Sequence, residues 1–309
     1  MLSQHCREAD LFQTHTIAGI QPGANLLITG GVHGDEFEPM VAIRRLISEV
    51  APQSLRGRLM LVPVVNESAF RNRRRCGEDG LDLARTCPGN PNGSITQRTA
   101  AALAQLIQQS DYYIDLHTGG TTLVVSPLSG YMLHRDGRVL EKQRQMARAF
   151  NLPIIWGTSA ELEGRSLSVA RDANVPAIYC EYLGSAVCHP DGVNDFVDGC
   201  LNVMRVLGMI DRATDPSRVK YSVEDSQTGS GYLQIQNQAP CEGYFLPHVK
   251  LGQAVLKGEL LGTVCDELGT VCHEVRSDHA GIVLSLRTFP RVGQGEGLAA
   301  ILELSPVNG

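Results

Sequence analysis

The chain has 309 residues, of which 43% are apolar and 19% charged, so it can bury a sizeable core and form one large or two smaller domains. Its formal net charge of -6 argues against a nucleic-acid-binding protein. No apolar segment approaches transmembrane length, and residues 1–10 lack a signal-peptide core, so we predict a cytoplasmic protein without membrane contact.

Helix-like and strand-like patterns alternate through the first two thirds of the chain. Helical periodicity or helix-start signals, including a capping box at Ser94 and Gln97, mark the segments 39–50, 94–109, 137–150 and 193–207. Buried-strand patterns mark the segments 58–65, 111–116, 152–156 and 176–180. This alternation predicts an α/β fold with a mixed, mostly parallel sheet and helices on both faces.

A histidine and an acidic residue follow an apolar run near the start of the chain. The run 25–29 and the glycine pair Gly30-Gly31 lead into His33-Gly34-Asp35-Glu36. This order predicts an imidazole and a carboxylate one helical turn apart at the mouth of a sheet, where both can reach one divalent metal ion. The motif indicates a metal-dependent hydrolase.

Two more ionisable side chains come directly after predicted strands. One strand is followed by His117 and two glycines, and another is followed by Glu181. In open α/β sheets the ligand crevice lies beyond the carboxyl ends of the strands, so we expect these side chains to meet there. His117 is then a third metal ligand beside His33 and Glu36, and Glu181 is a candidate general base.

The residue types suit hydrolysis by zinc. A catalytic zinc ion keeps three protein ligands and one open position for water, and a carboxylate that is not a ligand can take the proton from that water. An isolated His-x-x-Glu often lies on a solvated helix, and a lone histidine at a strand end is usually structural. The joint arrangement on three strands favours the metal site, and we predict one Zn²⁺ per chain.

The last third of the chain has a different sequence pattern from the first two thirds. Short β-like runs and regularly spaced glycines predict a small all-β domain over 216–309, beside a hydrolase domain over 1–215. The sequence segments 251–259 and 292–297 resemble the two halves of a biotinyl/lipoyl-type barrel-sandwich. A cofactor carrier needs an exposed lysine between the halves, and no lysine follows Lys257, so we favour a role in shaping the pocket.

The nine cysteines are scattered without a C-x-x-C pair, which predicts reduced thiols. Cys265 and Cys272, the latter followed by His273, are a weak exception, and their spacing suits no standard zinc site.

Four segments together resemble the succinylglutamate desuccinylase/aspartoacylase family, which is related to the zinc carboxypeptidases. They read GGVHGDE at 30–36, DGLDLAR at 79–85 before Pro88-Gly89, DLHTG at 115–119 and EYLG at 181–184. The resemblance covers roughly residues 25–210. It implies a zinc carboxypeptidase-like fold and a zinc-dependent amidohydrolase acting on N-acylated amino acids.

The resemblance implies a role for each matching residue. His33, Glu36 and His117 correspond to the zinc ligands, Glu181 to the catalytic carboxylate, and Asp82 to the aspartate that orients the first histidine.

The same resemblance implies the substrate contacts. Asn66 opens its segment and is assigned to substrate binding, and counting from it brings Arg75 to the arginine that polarises the scissile carbonyl. Arg85 corresponds to the arginine that grips the substrate carboxylate, a role suited to a guanidinium fork. The family has asparagine where this chain has Ala84, so one hydrogen-bond donor to that carboxylate is missing. Three other arginines share the cluster around Arg75, namely Arg71, Arg73 and Arg74.

Our interpretation is a zinc-dependent deacylase that removes an acetyl- or succinyl-type group from a small N-acyl amino acid. A zinc carboxypeptidase acting on short peptides is the enzymatic alternative. A non-catalytic metal- or ligand-binding protein is the alternative from another class, suggested by Ala84 and Cys87. The sequence leaves open the acyl group, the amine and assembly into a homo-oligomer.

Overall fold

The computed structural model describes residues 11–233 and 236–304. The α-helices within these ranges are Phe37–Glu49 (α1), Glu67–Arg71 (α2), Ile95–Gln108 (α3), Gly137–Phe150 (α4), Ser166–Asp172 (α5) and Pro190–Val206 (α6). The strands of the first two thirds are His15–Ala18 (β1), Gln21–Thr29 (β2), Arg56–Val62 (β3), Tyr112–His117 (β4), Leu123–Met132 (β5), Ile154–Thr158 (β6) and Ala177–Gly184 (β7). The later strands are Tyr221–Glu224 (β8), Gly243–Pro247 (β9), Ala254–Val255 (β10), Leu260–Cys265 (β11), Cys272–Arg276 (β12), Gly281–Arg287 (β13), Arg291–Val292 (β14) and Ala299–Leu302 (β15).

A mixed, mostly parallel sheet forms the centre of the molecule, as predicted. Strands β3, β2, β4 and β7 lie side by side and run parallel, and β1 pairs antiparallel with β3 at the edge. Strand β5 is antiparallel to β7 but parallel to β6, which in turn pairs parallel with β8. The carboxyl ends of β2, β4 and β7 therefore meet at one edge of the sheet.

Helices cover both faces of this sheet, and two apolar clusters bury the strands. The cluster on one face contains residues of α1, α4 and α6, among them Ile43, Phe150 and Phe196. The cluster on the other face contains residues of α3 and α5, among them Leu103 and Val169. Strands buried on both sides explain why the sequence shows apolar runs rather than strict alternation.

Two local predictions at the sheet edge need correction. Glu36 precedes α1 with extended backbone angles, so His33 and Glu36 lie in a turn before the helix and not one helical turn apart on it. Glu181 lies inside β7 rather than after its end, because β5 pairs with β7 as far as Gly184 and prolongs the strand. Neither change removes these side chains from the edge.

The C-terminal third is rich in strands, and it is hydrogen-bonded to the main sheet. Strands β12, β11, β9 and β14 form a separate four-stranded sheet, while β13 pairs with β5 and extends the main sheet towards β10 and β15. A third apolar cluster lies within this region and includes Phe245 and Val264. Backbone pairs thus cross the predicted boundary near residue 215 at β6–β8 and β5–β13. The domain division and the barrel-sandwich likeness stay predictions.

The prediction that all cysteines are reduced is wrong for one pair. Cys265 and Cys272 face each other on the antiparallel strands β11 and β12, with their Cα atoms 4.1 Å apart, and they form a disulfide bond. Strand register brings the two together, which spacing alone does not reveal. Bonded thiols cannot ligate a second metal.

None of the helices described over 11–233 and 236–304 is long and apolar enough to cross a membrane.

Candidate active site

The segments that carry His33, Glu36, His117 and Glu181 meet at the edge of the main sheet. The turn after β2 brings His33 and Glu36 there, and His117 is the last residue of β4. His117 is directly opposite Glu181 in the parallel pair β4–β7. Gly34 lets this turn lie against the backbone of α2, because a Cβ at this position would lie 2.1 Å from the carbonyl carbon of Ala69.

The Glu36 carboxylate lies between two imidazoles. Its Oε1 is 2.7 Å from Nδ1 of His33, and its Oε2 is 3.1 Å from Nδ1 of His117. The backbone N–H of Thr118 also donates to Oε2 at 3.1 Å. One donor atom from each of His33, Glu36 and His117 lies within 4.8 Å of the other two, so these residues could hold one metal ion.

A carboxylate also faces the second nitrogen of each imidazole. Nε2 of His33 is 3.2 Å from Oδ1 of Asp82, and Nε2 of His117 is 3.2 Å from Oδ2 of Asp115. A neutral imidazole has a single N–H, so when Nε2 donates to aspartate, the lone pair on Nδ1 points at Glu36. A cation between these lone pairs and Glu36 satisfies all three groups. Two imidazoles and one carboxylate also form a known donor set for hydrolytic zinc, so the site fits the metal chemically.

Nearby charged groups lower the pKa of two buried carboxyl groups, Glu36 and Asp82, against the effect of burial. Burial alone would raise the pKa of Glu36, but His33 and His117 hold that pKa well below its usual value. Burial likewise opposes ionisation of Asp82, and its hydrogen bond to His33 with the nearby charge of Arg75 lowers the pKa of that carboxyl. The lowered pKa values favour the ionised form of both carboxylates.

Glu181 differs from Glu36 and Asp82 because its pKa is raised and not lowered. Its Oε2 is buried and has no hydrogen-bond partner among the described residues. Burial raises the pKa of Glu181 to about 8, with His117 opposing this shift and Glu36 adding to it. A buried carboxyl group with a raised pKa that lines a cavity can both accept and return a proton.

Of the arginine cluster, Arg75 is the member that the structure brings to these residues. Its Nε and Nη2 each lie 3.1 Å from Oδ2 of Asp82, and its Nη1 lies 3.7 Å from Oε1 of Glu36. Arg71 instead pairs with Glu67. Asp82 thus contacts both His33 and Arg75, and it sets the distance between the imidazole and the guanidinium.

A cavity opens beside Arg75 and Glu181, and both apolar and charged side chains line it. Met132, Leu162 and Leu167 line it, and Leu233 closes it from the C-terminal third. The residues that follow β8 therefore contribute to the same cavity as the sheet edge. This mixed lining suits a small molecule with an apolar part and a charged group.

Two residues near Arg85 were not predicted from the sequence, namely Arg165 and Tyr232. The guanidinium of Arg165 lies 5.0 Å from the ring centre of Tyr232, and that of Arg85 lies 5.8 Å from the same ring. Burial and the nearby charge of Arg165 lower the pKa of Arg85. Arg165 comes from a loop without a readable pattern and Tyr232 from the C-terminal third, so only the fold brings them to Arg85. Two guanidiniums beside Ala84 suit an anionic group such as a carboxylate.

Asn66 has a structural contact in the fold, and its assignment to substrate binding stays a prediction. Asn66 does not line the cavity. Its Oδ1 accepts the backbone N–H of Ala69 at 3.0 Å and caps α2. Asparagine before a short helix is a common cap, because its side chain satisfies a backbone donor that the helix leaves unpaired.

We expect Asn66→Ala to lower the free energy of unfolding by about 1 kcal/mol, since a helix cap is lost. Urea denaturation measures this change, and Asn66→Ser, which keeps a capping oxygen, should retain most of the stability. The substrate KM should not change in either variant. A raised KM with unaltered stability would support the assignment of Asn66 to substrate binding.

Comparisons with known proteins show what the chain is similar to. The model of the succinylglutamate desuccinylase/aspartoacylase catalytic domain matches residues 22–207. The N-alpha-acetyl-L-2,4-diaminobutyric acid deacetylase of Halomonas elongata is 29% identical over 293 residues, covering 91% of this chain and 83% of that protein. A succinylglutamate desuccinylase/aspartoacylase structure from Rhodobacter sphaeroides superimposes with a TM-score of 0.86 and 25% identity, covering 95% of this chain and 90% of that one. The product-bound ectoine utilization protein EutE (DoeB) from Ruegeria pomeroyi gives 0.84 and 26%, covering 93% and 87%.

Proposed function

Because the chain belongs to the succinylglutamate desuccinylase/aspartoacylase family, we propose that it is a zinc-dependent deacylase of small N-acyl amino acids. It is a hydrolase that acts on amides, as its relatives are. The observation that carries the zinc proposal is the cluster of His33, Glu36 and His117, which faces a cavity that Glu181 also lines.

The cluster assigns the metal ligands in this proposal. His33, Glu36 and His117 hold the ion, and Asp82 and Asp115 orient the two imidazoles through their second nitrogens. A zinc ion bound there would supply a Lewis acid for a water molecule and for the substrate carbonyl. His33 and His117 also line the cavity, where an amide can enter.

The protein groups divide the remaining work. Glu181 takes a proton from the attacking water and returns it to the departing amine, which its raised pKa of about 8 supports. Arg75, held by Asp82, stabilises the developing oxyanion. Arg85 and Arg165, whose guanidiniums both lie near the ring of Tyr232, bind the carboxylate of the substrate.

The substrate is small in this proposal. Gly231 and Leu233 line the cavity from the C-terminal third, and Arg165 bonds to the carbonyl oxygen of Gly231 through both terminal nitrogens at 3.3 Å. These residues narrow the space that an extended peptide would need, which argues against the carboxypeptidase alternative. Ala84 leaves a gap beside Arg85 where the family has an amide, so substrate choice depends more on Arg165.

We expect the zinc-loaded protein to release amine from at least one of a panel of N-acetyl and N-succinyl amino acids, including N-acetyl-2,4-diaminobutyrate. A fluorogenic amine assay beside a panel of short peptides measures the release. Cleavage of peptides alone would favour the carboxypeptidase. If the metal is bound but no amine is released from either panel, the result would favour a binding protein that has lost catalysis.

A further inference from the structure

A buried chain of hydrogen bonds begins behind the imidazole of His117. Asp115 and His117 are two residues apart on β4, so their side chains leave the strand on the same side. Oδ2 of Asp115 lies 3.2 Å from Nε2 of His117, and the aspartate is 1% exposed. Asp115 can therefore keep the N–H on Nε2 and leave Nδ1 free towards Glu36.

Two buried hydroxyl groups hold this aspartate, one on each oxygen. The hydroxyl of Thr29 donates to Oδ1 at 2.9 Å, and the hydroxyl of Ser166 donates to Oδ2, the oxygen that also faces His117. Tyr113 lies behind Thr29, with its hydroxyl oxygen 2.7 Å from that of Thr29. The carboxylate cannot rotate away from His117 without losing both hydroxyl donors.

Ser166 is also the first residue of α5 and directly follows Arg165 in the chain. Another serine, Ser168, holds the backbone of Arg165: the Arg165 N–H donates to Oγ of Ser168 at 3.0 Å, and that hydroxyl donates to the Arg165 carbonyl at 2.6 Å. The first turn of α5 thus carries two buried hydroxyls with different partners. One contacts Asp115, and the other contacts Arg165.

We propose that Ser166 is a positioning residue for the reaction, which acts through Asp115 on the imidazole of His117. This inference rests on the proposed function, in which His117 binds the metal. Ser166 selects the nitrogen of His117 that faces Glu36 and fixes the direction of its lone pair. Ser168 positions the backbone of Arg165 in the same way. The first turn of α5 thus positions both the metal ligand His117 and the substrate-binding arginine Arg165.

The test compares single variants of the full-length protein after metal removal. Zinc affinity is measured by competition with a chromogenic chelator, and the cobalt-loaded protein gives a visible absorption spectrum that reports on ligand geometry. We expect Ser166→Ala to weaken zinc binding about tenfold, the lower end of the effect seen when partners of metal ligands are removed, and to alter the cobalt spectrum. Ser166→Thr, which keeps the hydroxyl, should recover most of the affinity.

Two matched serines separate positioning from folding. Ser168→Ala should raise the substrate KM while zinc affinity and the cobalt spectrum stay as in the wild type. Ser277→Ala removes another buried hydroxyl, which donates to the carbonyl of His279 in the C-terminal third. This variant should keep the wild-type KM, zinc affinity and cobalt spectrum. Thermal unfolding of each variant reports any general loss of stability.

The outcomes distinguish this inference from the proposed function. Wild-type zinc affinity and an unaltered cobalt spectrum in Ser166→Ala, in a wild-type protein that binds zinc and deacylates, would overturn the role of Ser166 alone. Equal losses in Ser166→Ala and Ser277→Ala would also overturn it, because they indicate a stability effect. A wild-type protein that takes up no zinc would contradict the proposed function itself, and this inference with it.

Discussion

Glu181→Gln is expected to abolish turnover while the metal stays bound. Glutamine has nearly the same shape but cannot accept or return a proton at neutral pH. General acid–base catalysis typically contributes between about a hundredfold and ten-thousandfold to a rate, so kcat should fall by a factor in that range. Steady-state kinetics with the substrate found in the acyl amino acid panel gives the rate, and elemental analysis gives the metal content.

The design of this experiment separates the loss of a proton acceptor from the loss of a charge. Glu274→Gln makes the same substitution at a carboxylate that pairs with Arg276 on the four-stranded sheet, and it should keep wild-type activity. Zinc content should be equal in both variants, because neither residue belongs to the cluster of His33, Glu36 and His117. Normal turnover in Glu181→Gln would exclude Glu181 as the general base.

Removal of the metal should reduce activity to background, and the addition of zinc should restore it. The cluster presents two imidazole nitrogens and one carboxylate at a cavity, and without a cation the lone pairs of these groups face one another. Dialysis against a chelator, followed by back-titration with zinc, measures activity as a function of bound metal. Full recovery near one equivalent is expected for a single site.

Controls identify the metal and the site in this experiment. Magnesium prefers oxygen ligands in an octahedral arrangement, so it should not restore the chelated protein. His117→Ala should fail to recover with zinc, since a ligand is missing. Circular dichroism should show a folded apoprotein, because the two apolar clusters around the main sheet do not depend on the metal residues. A metal-free protein with full activity would rule out a metal-dependent mechanism.

Part of the site could be predicted from the sequence, namely His33, Glu36, His117 and Glu181. Each of these residues comes at or near the end of an apolar run, and parallel strands bring their carboxyl ends to one edge of a sheet. Their chemistry is also specific to metal hydrolysis. Glu181 lies inside β7 and not after its end as predicted. This error did not change the site, because the residue is still at the edge of the sheet where His117 lies.

Residues that meet through long-range packing could not be predicted in this way. Asp115 was visible in the sequence, yet its contact with Ser166 depends on how α5 packs against β4. Arg165 and Tyr232 are 67 residues apart and meet only because the segment after β8 returns to the cavity. The disulfide of Cys265 and Cys272 likewise depends on strand register.

The sequence by itself therefore determined the α/β class, the family resemblance and the candidate metal residues, since these depend on local periodicity and on short motifs. The tertiary structure alone decided that Asn66 caps a helix and that Arg165 and Tyr232 come together beside Arg85. The physical reason is that a side chain's partners across the fold are chosen by the packing of whole elements, and that choice leaves no local pattern in the chain.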